Sequence, residues 1–399
     1  MKNIKIAQTT AYFIAFVALG LAMAALGPTL PALAQQTHVS LSEISYLFTA
    51  RSFGFLLGSL FIGRFYDRMS GHAVMAATII AMSAMMALMP IITVLPLLVA
   101  AMLALGTAEG ALGVGGNALL VWVHQHRVPP YMNGLHFAYG VGGVISPLIV
   151  VRTLSINNTT AGPYFVLAVL ILPAAALLFA LPSPKNQQAS QEQSNAGRIN
   201  YKLVWLIALL LGLYIGAEVS YGGWIYSYVL GMSLGDEKMA GDLTSVFWGA
   251  LTAGRLLGVP IAARLRPRTI LLIDLIGCFI SVGIAIMWAT SLTAITVATV
   301  GIGLSMASIY PTALTFAERR MKITGQVMSY LIVGGSAGGM IVPLLVGKMF
   351  ESIGPRVMMF TVLFDLVIAV IVYLLMVIYY PMGRVNRSSF ESVPSEFRT

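Results

Sequence analysis

Apolar runs of roughly 18 residues or more recur along the whole chain, separated by short stretches rich in Pro, Gly, Ser and charge. A helix needs roughly 20 residues to cross the hydrocarbon of a bilayer. Lipid offers the backbone no hydrogen bonds, so runs of this kind must close their own as helices. The pattern predicts spans near residues 9–33, 41–65, 72–92, 95–124, 132–152, 162–182, 202–230, 240–264, 268–290, 291–318, 324–350 and 355–381. The first run is too long for a signal-peptide core, which predicts a permanent helix. The polar segment from Pro182 to Asn200 has the Pro/Ser/Gln/Asn composition of a flexible linker. It divides the chain into a six-helix bundle over 1–182, a linker over 183–200, a second six-helix bundle over 201–383 and a tail over 384–399.

Two internal echoes make these halves repeats of one another. The stretch GGVISPL from Gly142 to Leu148 returns as GGMIVPL from Gly338 to Leu344, on the predicted fifth and eleventh helices. Thr49, Ala50 and Arg51 on the second helix are matched by Thr252, Ala253 and Arg255 on the eighth. The fold class expected is an all-α integral membrane protein, twelve helices in two pseudo-symmetric bundles. Such parallel repeats hold a substrate near the membrane midplane between the halves.

Composition agrees: 58% of residues are hydrophobic, 9% are charged and the mean hydropathy is +0.88, where a soluble domain is about a quarter charged. The net charge of +9 would suggest an acidic partner in a soluble protein. Here it reports orientation rather than nucleic acid, because 17 of the 23 Lys and Arg gather on one side when both termini are placed in the cytoplasm. The single cysteine, Cys278, excludes an internal disulfide and a cysteine metal cluster. His124 and His126, two residues apart, do not share a helix face and have no acid beside them, so they read as a solvated loop. A nucleotide-binding loop and a nucleophile constellation are both missing from the sequence. Neither an enzyme nor direct ATP drive is expected.

The loop Gly63-Arg-Phe-Tyr-Asp67-Arg68-Met-Ser-Gly71-His72 resembles the G-x-x-x-D-R-x-G-[RK] motif of the major facilitator superfamily. The resemblance implies that Gly63, Asp67, Arg68 and Gly71 form a cytoplasmic gate. This copy carries one extra residue before Gly71, and His72 where Arg or Lys is usual. Leu26 to Leu33, Leu135 to Gly140, Tyr214 to Tyr228 and Ile309 to Thr312 look like the fucose permease and sodium-dependent glucose transporter-like branch. That likeness implies alternating-access import of a sugar or similar polar molecule, coupled to H⁺ or Na⁺. The branch carries an acid four residues before the Asn of helix four; Asn117 is kept, but the acid's place is Gly113 and Glu109 stands one turn further. The acid expected on helix one is also absent.

An ionised group at membrane depth is costly, and Arg51, Glu109, Glu218 and Arg255 stand out in this respect. They either neutralise one another, Arg51 with Glu109 and Glu218 with Arg255, or a carboxylate binds the coupling cation and an arginine holds or releases it. Glu218, Tyr221, Ile225 and Tyr228 share one face of the seventh helix with Trp224 beside it. These rings suit the C–H faces and hydroxyls of a sugar, although Tyr228 also fits an interfacial belt. Asn117, His136, Tyr139 and Trp248 are further substrate-contact candidates, with helix-to-helix hydrogen bonding the alternative for His136. Tyr310 precedes Pro311 at an expected break in helix ten. The partners expected are a small-molecule substrate and the lipid bilayer, with a monomer sufficient, in a membrane of bacterial inner-membrane type. Two other readings stand: an anionic or amphipathic metabolite held by the two central arginines, or a non-transporting sensor or scaffold.

Overall fold

The computed structural model describes residues 2–157, 159–184, 199–321 and 323–380. Most of the expected linker, the tail and six basic residues (Lys185, Arg198, Lys322, Arg384, Arg387 and Arg398) lie outside the described residues. The described residues form twelve helices of membrane-crossing length and apolarity. They run Asn3–Gln36, Leu41–Phe61, Gly71–Ile91, Leu95–His124, Val128–Ile156, Ala161–Ala180, Tyr201–Gly231, Glu237–Arg264, Pro267–Met287, Leu292–Glu318, Gly325–Ile353 and Val357–Tyr379, named below as the first to twelfth spans. No strand occurs among the described residues.

Several helices outrun the apolar stretches that announced them, because hydropathy marks the lipid slab while backbone hydrogen bonding carries a helix on into water. The first begins at Asn3 rather than near residue 9, and the Thr9 hydroxyl donates to the Lys5 carbonyl at 2.7 Å. Polar caps set the ends. Asp236 Oδ1 accepts the Met239 N–H at 2.9 Å, Ser291 and Thr324 accept at 3.3 Å from Ala294 and Val327, and Ser40 and Glu43 form a reciprocal capping box. The tenth span is broken into Leu292–Met306 and Ile309–Glu318. Pro311 has no N–H to offer the Ala307 carbonyl.

The repeated sequence has a repeated job. Gly142 brings the fifth span against the backbone of the first at Val17, and Gly338 brings the eleventh against the backbone of the seventh at Gly212. A Cβ at either place would collide with a main-chain carbonyl, so only glycine permits that approach.

The ends of the described chain lie on one side of the bundle, which we call the termini end. The halves meet at mid-depth and toward the opposite, far end. There the Leu41 N–H donates to Glu351 Oε1 at 2.8 Å, the Thr49 hydroxyl donates to the Met340 carbonyl at 3.0 Å, and Lys348 Nζ sits 4.1 Å above the Tyr46 ring. Phe48 packs on Trp224 with ring centroids 5.8 Å apart. Toward the termini end the central side chains remain reachable: His136 is exposed, and Asn117, Glu218, Arg255 and Tyr310 are partly exposed. The contacts between halves therefore gather at mid-depth and the far end, and the central side chains that keep some exposure mark a vestibule between the halves.

Candidate functional site

Arg51 and Glu109 are joined inside the first half. Arg51 Nε lies 2.8 Å from Glu109 Oε2 and Nη2 lies 2.5 Å from Oε1, while Nη1 and Nη2 also donate to the Met23 and Ala22 carbonyls at 2.9 and 2.8 Å. Four donations from five guanidinium N–H groups leave little capacity for a ligand, and the Glu109 side chain is fully buried. This pair ties the first, second and fourth spans together.

Glu218 and Arg255 behave differently. Arg255 Nη2 is 3.8 Å from Glu218 Oε1, and the two side chains are 23% and 12% exposed, Arg first. The pair crosses from the eighth span to the seventh and faces the vestibule. Tyr214, one helical turn before Glu218, interacts with both charges. Across the boundary between halves, the Arg255 guanidinium lies 5.8 Å from the Tyr139 ring centroid. Tyr139 packs edge-on against Trp248 at 6.2 Å, and Tyr310 faces Tyr214 at 6.5 Å. The Trp248 indole N–H is buried without an acceptor. His136 lies one turn from Tyr139, close enough to Arg255 to feel its charge. Asn117 lends its amide to the Gly113 carbonyl at 2.8 Å, and Gly113 has no heavy atom nearer than the Phe55 ring at 4.0 Å from where a Cβ would sit.

The aromatic face of the seventh span is placed otherwise than the sequence suggested. Tyr221, Trp224 and Tyr228 are fully buried. The Tyr221 hydroxyl pairs with Thr299 at 2.9 Å, the Trp224 indole donates to the Pro343 carbonyl at 3.0 Å and its ring stacks on Phe350. The Tyr228 hydroxyl is buried without a partner. The reason is depth: the face that is partly exposed at Glu218 enters the helix-packed far end by Tyr221. Tyr214, itself 5% exposed, is the tyrosine of this face that stands beside the Glu218–Arg255 pair. Its signal was available, since it stands four residues before Glu218.

The charge inventory also needs correcting. Asp274 on the ninth span and Asp365 on the twelfth are buried acids within apolar runs, at 7% and 4% exposure. The rule that singled out the four other charges finds both. Ser308 Oγ donates to Asp274 Oδ2 at 2.6 Å, whereas Asp365 Oδ2 has no partner.

In the loop, Gly63 to Arg68 form a short helix with Arg68 exposed, and Gly71 opens the third span; the Asp67 side chain lies outside the described residues. His72 is no latch between halves. It is buried, with Nε2 2.8 Å from the Tyr12 hydroxyl and Nδ1 2.9 Å from the Leu181 carbonyl, and so staples the first, third and sixth spans within one half. His124 pairs with the Thr9 hydroxyl at 2.7 Å and stacks on Tyr131.

A family model described as the Major Facilitator Superfamily matches residues 12–329. The sodium-dependent glucose transporter 1A of Mus musculus is 27% identical, over 84% of this chain and 88% of its own length. The sodium-dependent glucose transporter 1 of Xenopus laevis is 29% identical, over 86% of this chain and 76% of its own. A mutant form of the nucleoside transporter NupG, solved as a crystal structure, superposes with a TM-score of 0.75 over 94% of this chain and 100% of that one; its 11% identity makes the likeness one of fold.

Proposed function

The chain belongs to the Major Facilitator Superfamily, and from that premise we propose that it moves a sugar or sugar-like polar solute by alternating access, with cation coupling through Glu218. One observation carries this reading. The Glu218–Arg255 pair stands loosely at 3.8 Å in the vestibule, ringed by neutral hydrogen-bonding groups on Tyr139, Tyr214, His136 and Tyr310 and capped by the unpartnered Trp248 indole. Rings stack on the C–H faces of a sugar while their hydroxyl and N–H groups meet its own hydroxyls. A carboxylate whose guanidinium partner stands beyond hydrogen-bond distance can exchange that partner for a cation. The Arg51–Glu109 pair lacks this freedom. Gly113 leaves the family's acid position empty, so in this reading the coupling role falls to Glu218. The names of the two glucose-transporting relatives support Na⁺ as the ion and glucose as the first substrate to try.

With the termini placed in the cytoplasm, the far-end contacts between halves face outward, and in this reading the conformation is inward-open. A monomer in a membrane of bacterial inner-membrane type suffices for this cycle, without an enzymatic step. The saturation of Arg51 weighs against an anionic substrate held by both arginines. The test is uptake of radiolabelled D-glucose and a sugar panel into proteoliposomes under an inward Na⁺ gradient, an inward H⁺ gradient or neither. Accumulation that vanishes with one gradient supports the proposal. Uptake of no sugar, with uptake of an organic anion instead, refutes it.

A further inference from the structure

The break in the tenth span has an unusual anchor. Ser308 stands at the cap position of the helix Ile309–Glu318, but its side chain makes no capping bond there. Its hydroxyl instead donates to Asp274 Oδ2 on the ninth span at 2.6 Å. Asp274 is buried at 7% exposure. A buried carboxyl group is costly unless hydrogen-bonded or neutralised, and the Ser308 hydroxyl supplies a donor.

That bond sits at the junction on which the site is built. Immediately before the break, Ala307 Cβ and the Leu304 carbonyl press against Gly254 of the eighth span, where a Cβ would come within 2.6 and 2.7 Å of them. Gly254 is the neighbour in sequence of Arg255. A Cβ on Gly258, one turn further along, would lie 3.5 Å from Ser308 Cβ. Immediately after the break, Tyr310 faces Tyr214, which in turn touches Glu218 and Arg255. Pro311 leaves the Ala307 carbonyl without its helical donor, which loosens the main chain where the two pieces of the tenth span join. The Ser308–Asp274 bond adds a constraint at that join.

We propose that Asp274 is a positioning residue: by accepting the Ser308 hydroxyl it sets the bend of the tenth span, and the bend places both Arg255 and Tyr310 around Glu218. It contacts no substrate. The proposal rests on the reading of Glu218 and Arg255 as the transport site, but its geometry can be tested without any substrate.

Because Cys278 is the single cysteine, Cys278→Ser gives a cysteine-free parent, and Tyr310→Cys in that parent reports the bend through its labelling rate with a membrane-impermeant thiol reagent. Asp274→Ala and Ser308→Ala should each change that rate by at least about threefold, and the double substitution should add nothing to either, since both remove one bond. Asp274→Asn keeps an acceptor oxygen for Ser308 and should leave the rate within about twofold of the parent. In proteoliposomes, Asp274→Ala with Tyr310 and Cys278 intact should raise the half-saturation concentration for D-glucose about fivefold while the maximal rate per folded transporter is largely kept, with Asp274→Asn restoring it. An unchanged labelling rate in Asp274→Ala, additive effects in the double variant, or an Asp274→Asn variant as altered as Asp274→Ala would overturn the proposal. Should the unmutated transporter take up no sugar, the functional reading above fails, and the labelling rates still decide the role of Asp274.

Discussion

The Arg255 guanidinium stands 3.8 Å from the Glu218 carboxylate, too far for a hydrogen bond and near enough for mutual neutralisation. No direct hydrogen bond joins the pair, and a glutamine would keep a polar side chain of the same size beside the partly exposed guanidinium. Glu218→Gln should therefore leave the melting temperature almost unchanged. It should abolish gradient-driven accumulation while substrate exchange across the membrane persists. Counterflow and accumulation assays on the same proteoliposomes separate the two; accumulation at the unmutated level would remove Glu218 from the coupling role.

The other pair is expected to do the opposite. Arg51 and Glu109 are held by two short contacts, with Glu109 wholly buried. Removing one partner strands the other, at a cost of about 3–5 kcal/mol. Arg51→Met and Glu109→Gln should each lower the melting temperature in detergent by many degrees. The double variant should recover much of the loss, because no unpaired charge is left behind. Equal melting of Glu109→Gln and the unmutated protein would contradict the structural role.

Two glycines on the fourth span should respond with opposite signs. A Cβ on Gly106 would collide with the backbone carbonyl of Arg51, whereas one on Gly113 would meet nothing closer than 4.0 Å. Gly113→Ala should stabilise by about 0.5–1 kcal/mol, the usual gain of removing glycine from a helix. Gly106→Ala should destabilise by about 1–3 kcal/mol through overpacking. Thermal melts of both variants decide it.

The far-end closure should loosen when Glu351 is shortened. Its carboxylate accepts the Leu41 N–H at the start of the second span, where a helix N-terminus favours negative charge. Loss of that bond is worth on the order of 1 kcal/mol, or about a fivefold shift in the balance between closed and open far ends. Spin-label distances across the far ends of the second and eleventh spans should show a larger long-distance population in Glu351→Ala, and an identical distribution would show that the bond does not hold the gate.

Much of this was readable residue by residue. Arg51, Glu109, Glu218 and Arg255 announce themselves as charges inside apolar runs, and their pairing by half follows from the need to neutralise them. The depth at which a side chain meets the other half was not readable. Tyr221 and Tyr214 share the face of Glu218, yet Tyr214 touches the vestibule pair and Tyr221 is locked to Thr299. Only the point where the two bundles touch distinguishes them. The role of His72 was hidden for a similar reason: its partners Tyr12 and Leu181 come from two other helices.

By itself the sequence determined the twelve spans, the two halves and the presence of charge at mid-membrane, because the free energy of placing a residue in lipid depends on that residue and its near neighbours along one helix. Tertiary structure alone decided that one ion pair is saturated and the other free. That difference turns on which carbonyls of the first span reach Arg51, across 28 and 29 positions of sequence, and on Arg255 meeting the other half at the Tyr139 ring, 5.8 Å away.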